Sequence, residues 1–184
     1  MVGLELCILL YSNELIMKDN YNDLINKYSQ KYSEHYKVRI DPVVVRAIIQ
    51  TESSGNPWAV RFEPRFLKWL RGRIKTLSSS TTTAETEYHL RSTSFGLGQL
   101  MGQTARELGF DGPYLTQLCE PELNIKYTVK YYGRLLRRYR GEVEWAISAY
   151  NLGSARKTSA GRFVNQVYVN KVLHHKNKIL LAKK

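Results

Sequence analysis

The sequence predicts a single domain that is mainly α-helical. Apolar residues recur at intervals of three and four in several segments, which is the spacing of one face of a helix. Strand signals are scarce, and no segment repeats at a fixed period. The 184 residues, of which 43% are hydrophobic and 24% charged, are enough to bury one core and too few to favour two domains.

Two helices are predicted in the first third of the chain. The first follows Asp19, a capping residue type, and continues to about Tyr36. The second begins at Asp41-Pro42, where a capping residue precedes a proline at the first helical position, and ends near Ser54. Glu52 therefore lies in the last turn of the second helix, where the helix dipole disfavours negative charge and raises the pKa of a carboxyl group.

The middle of the chain is less regular. Residues 61–95 are predicted as an irregular insertion, with a loop at the hydroxyl-rich run 78–83. A glycine turn at 96–98 then precedes a short helix at 104–108. Three further helices complete the predicted fold, at about 122–140, 142–150 and 163–181.

The net charge of +12 lies entirely in the last third of the chain. Residues 1–122 hold 14 Lys/Arg and 14 Asp/Glu, whereas residues 123–184 hold 14 Lys/Arg and only Glu142 and Glu144. Such asymmetry indicates a polyanionic partner. Much of the surplus follows the predicted helix at 122–140, opposite its apolar residues, where a solvated face and a contact surface are both open interpretations.

The sequence shows no signal for export, for a membrane span or for a metal site. The apolar run at 4–11 has no basic residue before it and is interrupted by Glu5, so we predict no signal peptide and treat 1–18 as an N-terminal extension of a domain at 19–184. No apolar stretch reaches the roughly 18 residues of a membrane span, so no stable membrane insertion is expected. Cys7, Cys119 and the histidines lack metal-ligand spacing, and we predict neither a metal nor a cofactor.

Four segments, taken in order, resemble one enzyme family. They are IIQTESSGNP at 48–57, SFGLGQLMGQTA at 94–105, AYNLG at 149–153 and YVNKVL at 168–173. Together they resemble the catalytic domain of the soluble lytic murein transglycosylases, glycoside hydrolase family 23, which is related to goose-type lysozyme. The segment NPWAVRFEP at 56–64 further resembles a phage and prophage branch of that family. The resemblance implies an α+β lysozyme-like fold with a sugar-binding groove.

The resemblance also implies a reaction. Enzymes of this family cleave the β-1,4 bond between MurNAc and GlcNAc in peptidoglycan, and the glutamate matching Glu52 acts first as an acid and then as a base. The C6 hydroxyl of the same MurNAc attacks C1 and closes a 1,6-anhydro ring, so no water is consumed. A second catalytic carboxylate, usual in glycosidases, is then unnecessary.

A set of substrate-binding side chains follows from the same resemblance. It comprises Ser94, Gln99, Tyr150, Asn151 and Tyr168. Gln99 is expected to bind sugar, Ser94 to face Glu52, and Tyr168 to orient that glutamate. Tyr150 and Asn151 are expected to hold Glu52 and the N-acetyl group. Two departures from the family pattern predict a wider or more flexible groove at Gly98, which replaces methionine, and a looser start of the next helix at Gly102, which replaces proline.

A second acid remains an open question at this stage. The acids within reach of the site by position are Glu63, Glu85, Glu87 and Asp111. Glu63 is the possible second acid, although a cap before Pro64 or a pair with Arg61 or Arg65 is the favoured interpretation of it. Glu85 and Glu87 follow the hydroxyl-rich run and are expected to be solvated.

Several alternatives and partners remain open on the sequence. The same fold could hydrolyse the bond with water and a second carboxylate such as Glu63. A nucleic-acid-binding module would account for the charge, although no such motif is present, and an inactive glycan-binding relative is disfavoured by the retained Glu52. We expect a monomer that binds peptidoglycan glycan strands and an anionic cell envelope surface and no nucleic acid. We expect synthesis in the cytoplasm and delivery to the wall by phage or at lysis.

Overall fold

The computed structural model describes residues 21–74 and 82–182, and within them it is mainly helical, as predicted. The α-helices are α1 (Asn22–Tyr36), α2 (Pro42–Ser53), α3 (Pro64–Arg71), α4 (Ala84–Arg91), α5 (Gly102–Glu107), α6 (Pro121–Arg138), α7 (Val143–Leu152) and α8 (Gln166–Leu181). The strands are β1 (Val60–Phe62), β2 (Thr93–Phe95) and β3 (Leu100–Met101), and a 3-10 helix covers Leu115–Cys119. None of the helices in these ranges is both long enough and apolar enough to cross a membrane.

Helix α6 forms the centre of the core. It packs against α1 on one side and α7 on the other, while α2 packs against α8. Fully buried side chains along α6 include Ile125, Val129, Tyr132 and Leu136. Burial of such side chains stabilises the fold by about 1.5–3 kcal/mol each.

Helix α2 has the ends that the sequence predicts. The Asp41 carboxylate accepts a hydrogen bond from the Val43 amide at 2.9 Å, and Pro42 occupies the first helical position. At the other end, Ser54 takes a left-handed conformation (φ +54°) and stops the helix. Glu52 is therefore fixed in the last turn by local signals.

The prediction of an irregular insertion at 61–95 is wrong for most of that segment. It contains most of β1, helices α3 and α4, and β2. The strands form an antiparallel sheet in the order β1-β2-β3, in which Ser94 pairs with Arg61 and with Met101. Strands of two or three residues are too short to show an alternating pattern, and the partners in the β1–β2 pair lie more than thirty positions apart in sequence.

The predicted helix boundaries after residue 100 shift by only a few positions. Helix α5 begins at Gly102, two residues earlier than predicted, and Gly102 does not loosen it. A Cβ at this position would lie 2.3 Å from the Leu90 carbonyl oxygen, so the glycine allows α4 and α5 to approach closely. The N-terminal extension, the Asp19 cap and most of the hydroxyl-rich run fall outside the described residues, and the division at 18/19 stays a prediction.

Candidate active site

A groove of about 520 Å³ opens beside the end of α2. Its walls come mainly from α2, the small sheet, α3 and α7. Residues singled out from the sequence line it: Glu52, Glu63, Ser94, Gln99, Tyr150 and Asn151. Tyr168 reaches Glu52 from α8 through a hydrogen bond. The fold thus gathers all seven candidate residues at one groove.

Glu52 combines partial burial with a short hydrogen bond from Tyr168. The Tyr168 hydroxyl donates to Glu52 Oε1 at 2.5 Å, which leaves the second carboxyl oxygen for a proton. Burial raises the pKa of Glu52 above the ordinary carboxyl value, against the lowering effects of the Tyr168 hydrogen bond and the charges of Arg61 and Lys171. The site therefore favours a protonated carboxyl that can act as a general acid.

Tyr150 supports the glycine turn. Its buried hydroxyl donates to the Gly98 carbonyl oxygen at 2.8 Å, rather than to Glu52 as expected. Desolvation raises the pKa of Tyr150 well above its usual range, and the nearby charge of Glu52 acts in the same direction. Tyr150 is therefore a neutral donor that joins α7 to the turn.

Gly98 is required by close packing, and the wider or more flexible groove expected there stays a prediction. A Cβ at Gly98 would lie 2.1 Å from Thr128 Oγ1 and 2.9 Å from the Tyr150 hydroxyl, so this position faces the interior. The next residue, Gln99, takes a left-handed conformation (φ +44°). The side-chain nitrogen of Gln99 donates to the carbonyl oxygens of Ala59 and Gly96. The side-chain oxygen of Gln99 is thereby left for a ligand.

Asn124 is a supporting residue that the sequence reasoning missed. It is fully buried on α6, and its side-chain oxygen accepts from the Gly98 amide at 2.8 Å. Its nitrogen donates to the carbonyl oxygens of Phe95 at 2.8 Å and Leu118 at 2.6 Å. The sequence does contain a signal for this residue, because the polar Asn124 and Thr128 lie four residues apart on an otherwise apolar helix face.

Glu63 is paired with an arginine. The Arg61 Nε lies 2.6 Å from Glu63 Oε1, which confirms the predicted ion pair. Glu63 precedes α3, but its side chain makes no capping hydrogen bond among the described residues, so the capping interpretation is wrong. The groove therefore holds one carboxylate bound to a cation and one, Glu52, bound to a neutral donor.

Glu87 corrects another expectation. It is 1% exposed rather than solvated, and its carboxylate accepts from Arg91 Nε at 2.9 Å and Arg106 Nε at 3.0 Å. These contacts join α4 to α5 beside the groove wall. Glu85 is exposed, as predicted, and pairs with Arg71.

Helix α3 supplies groove residues that the sequence analysis did not single out. Arg65, Phe66 and Trp69 line the groove, and the rings of Phe66 and Trp69 stack with centroids 5.0 Å apart. The Arg73 guanidinium lies 4.4 Å from the Trp69 ring centroid. The inserted segment therefore forms a wall of the groove. Within the described ranges, no group of three His, Cys, Asp or Glu side chains is placed to hold a metal ion.

Comparison with models of protein families identifies the family to which this chain belongs. The model of the transglycosylase SLT domain family matches residues 24–171, which is most of the chain. The matched stretch contains Glu52, the glycine turn, Asn151 and Tyr168, and the helical structure agrees with the lysozyme-like fold of that family. The chain therefore belongs to the transglycosylase SLT domain family, whose members are lytic transglycosylases, lyases that act on peptidoglycan.

Proposed function

We propose that this enzyme cleaves the MurNAc–GlcNAc β-1,4 bond of peptidoglycan and leaves 1,6-anhydro-MurNAc ends, with Glu52 as the acid and then the base. The observation that carries the proposal is the partly buried Glu52 carboxyl in the groove, whose pKa is raised and which accepts a hydrogen bond from the neutral Tyr168 hydroxyl. The substrate-binding residues in this proposal are Ser94, Gln99, Tyr150, Asn151 and, through Glu52, Tyr168.

The proposed reaction needs one carboxyl group and no water. Protonated Glu52 donates its proton to the glycosidic oxygen as the bond between that oxygen and C1 breaks. The resulting carboxylate accepts the proton of the C6 hydroxyl as O6 bonds to C1. The anhydro ring is then complete, and Glu52 is again protonated.

Hydrolysis is the alternative outcome at this site, and it would require a second carboxylate to activate water. Glu63 is the other carboxylate that lines the groove in the described part of the chain. Its 2.6 Å ion pair with Arg61 occupies one of its carboxylate oxygens. This pairing supports a structural role for Glu63 and favours the single-carboxylate reaction.

Mass spectrometry of digested peptidoglycan tests the proposed reaction. We expect products whose MurNAc ends are lighter by one water than ordinary reducing ends. We also expect no incorporation of isotopically labelled oxygen from water. Reducing ends that carry the label would overturn the proposal, and loss of those ends in Glu63→Gln would identify Glu63 as the second acid.

The pH profile of Tyr168→Phe provides a second measurement on Glu52. The Tyr168 hydroxyl lowers the pKa of Glu52, so its removal should raise that pKa further. Cleavage needs protonated Glu52 and falls as pH rises through its pKa, so the alkaline limb of the rate profile should move to higher pH. Tyr127→Phe removes a hydroxyl that donates to Gly109 and serves as the control. An alkaline limb that stays in place would show that Tyr168 does not act on the catalytic proton.

We also propose that the enzyme belongs to the phage and prophage branch of glycoside hydrolase family 23. Support comes from the segment at 56–64, which leads through β1 to Arg61 and Glu63 in the groove wall. An enzyme of this branch would be made in the cytoplasm and would reach the wall with a virion or at lysis.

The basic face of α6 is proposed to contact the anionic cell envelope. Burial, together with the charges of Lys126, Arg134 and Lys31, lowers the pKa of Lys130, so these cations crowd one surface of α6 and α1. Crowded cations gain from an anionic partner that relieves their mutual repulsion.

Salt dependence tests this contact surface. Raising the salt concentration from about 0.05 M to about 0.5 M shortens the screening length several-fold, and it should weaken binding to sedimented peptidoglycan far more than cleavage of a short soluble glycan. Lys126→Glu should reduce sedimentation, whereas the same charge change at Lys178 on α8 should reduce it less. Equal salt sensitivity of binding and cleavage would contradict the proposed surface.

A further inference from the structure

Asn165 uses its whole side-chain amide to connect α7 with the start of α8. Its oxygen accepts a hydrogen bond from the Ser148 hydroxyl at 2.7 Å. Its nitrogen donates to the Ser148 carbonyl oxygen and to the Asn151 side-chain oxygen, each at 3.1 Å. Because one end of the amide accepts and the other donates, only one orientation of Asn165 satisfies these partners.

This orientation determines the orientation of Asn151. The Asn151 side-chain oxygen accepts the hydrogen bond from Asn165, so the opposite end of that amide, its NH2, is the end left to donate to a ligand. Asn151 is exposed and lines the groove. The groove is thereby given a donor at this position.

Asn165 also supports the residue that contacts Glu52. Its backbone carbonyl accepts from the Tyr168 amide at 2.9 Å in the first turn of α8. Tyr168 in turn donates to Glu52. Asn165 therefore contacts both Asn151, the proposed substrate-binding residue, and Tyr168, the hydrogen-bond partner of Glu52.

We propose that Asn165 is a positioning residue that fixes the Asn151 amide so that its NH2 donates to the carbonyl oxygen of the substrate's N-acetyl group. This inference rests on the proposed function, because it takes Asn151 to contact the substrate. It goes further by naming the chemical group recognised, an amide carbonyl, and the residue that sets this preference.

Asn165→Asp separates orientation from simple loss of packing. Aspartate has nearly the same shape, and it can still accept from the Ser148 hydroxyl. It offers no donor, so the Ser148 carbonyl oxygen loses its partner at residue 165 whatever residue stands at 151. Asn151 must in addition rotate its NH2 toward residue 165 and turn its oxygen toward the groove. Two carbonyl oxygens, one from Asn151 and one from the N-acetyl group, would then face each other. We expect kcat/KM for peptidoglycan cleavage to fall by about tenfold, the effect of one lost hydrogen bond.

A double-mutant cycle with Asn151→Ala tests whether the effect passes through Asn151. In the Asn151→Ala background, Asn165→Asp should change kcat/KM by less than about twofold, because no amide is left to turn. A structural role alone, such as the hydrogen bond to the Ser148 carbonyl oxygen, would slow both backgrounds equally. The alkaline limb of the pH profile should be the same in Asn151→Ala with and without Asn165→Asp; a shift there would show action through Tyr168 and Glu52.

The outcomes distinguish this inference from the proposed function. Rates are counted from all newly formed glycan ends, so the cycle is informative whether the ends are anhydro or reducing. Reducing ends alone would reject the lyase chemistry and leave the role of Asn165 intact. Full activity of Asn165→Asp, or of Asn151→Ala, would overturn the role of Asn165 while Glu52→Gln still tests the catalytic acid.

Discussion

Glu52→Gln is expected to lower the rate of peptidoglycan cleavage by about a thousandfold, within the usual range for loss of a general acid and base. The amide cannot protonate the glycosidic oxygen or accept the proton of the C6 hydroxyl, yet it has the size of the carboxyl group and can accept the hydrogen bond from Tyr168. The measurement is the release of soluble muropeptides from purified cell walls by enzyme at equal folded concentration.

The pH dependence of the free energy of unfolding provides a check that Glu52→Gln is folded. Burial raises the pKa of Glu52 in the folded state, so the favourable contribution of this carboxyl to stability is present at low pH and is lost as pH rises through the folded pKa. At neutral pH the glutamine variant should therefore be as stable as the wild type or more stable, and the difference should shrink toward acid pH.

Glu63→Gln is the matched control for the catalytic assignment, because it removes another carboxylate of the same groove. It should keep most of the activity, since it breaks an ion pair with Arg61 rather than the acid. If Glu52→Gln were still to clear cell walls at the wild-type rate, Glu52 would not be the acid.

Local signals explain why the sequence predicts the position of Glu52. Asp41, Pro42 and the left-handed Ser54 limit α2 within a few residues, so the last turn can be located without knowledge of the rest of the fold. The same holds for α7, which ends at Gly153 in a left-handed conformation (φ +75°) directly after Asn151 and Leu152. Residues at helix ends are predicted well because capping acts over one turn.

The residues that the sequence reasoning missed act over long separations. Strands β1 and β2 pair across more than thirty positions, as in the pairing of Arg61 with Ser94. Asn165 resembles an ordinary loop residue until α7 is placed beside it. The groove wall from α3 depends likewise on how the inserted segment folds back over the sheet. Amino-acid composition and the periodicity of apolar residues do not predict such contacts.

Asn124→Ala is expected to have the largest effect on stability. It deprives the Gly98 amide of its buried acceptor and the carbonyl oxygens of Phe95 and Leu118 of a donor. Each buried group left unpaired costs about 1–3 kcal/mol, and the deleted amide leaves a cavity. We expect the free energy of unfolding to fall by about 3–5 kcal/mol, measured by urea denaturation.

The exposed Asn170 on α8 provides the matched control, because Asn170→Ala removes the same group from a solvated position. Its effect should stay within about 0.5 kcal/mol. A loss below about 1 kcal/mol in Asn124→Ala would mean that the unpaired groups find other partners, and the turn would not depend on this residue.

Asn124→Ala should also lower the rate of peptidoglycan cleavage. Asn124 holds Gly98, and the following Gln99 is kept in a left-handed conformation by this turn and by its own bonds to Ala59 and Gly96. Without the Asn124 amide, the Gln99 oxygen should lose its fixed position in the groove. Folded Asn124→Ala, assayed at low temperature, should therefore cleave more slowly than wild type, whereas Asn170→Ala should not.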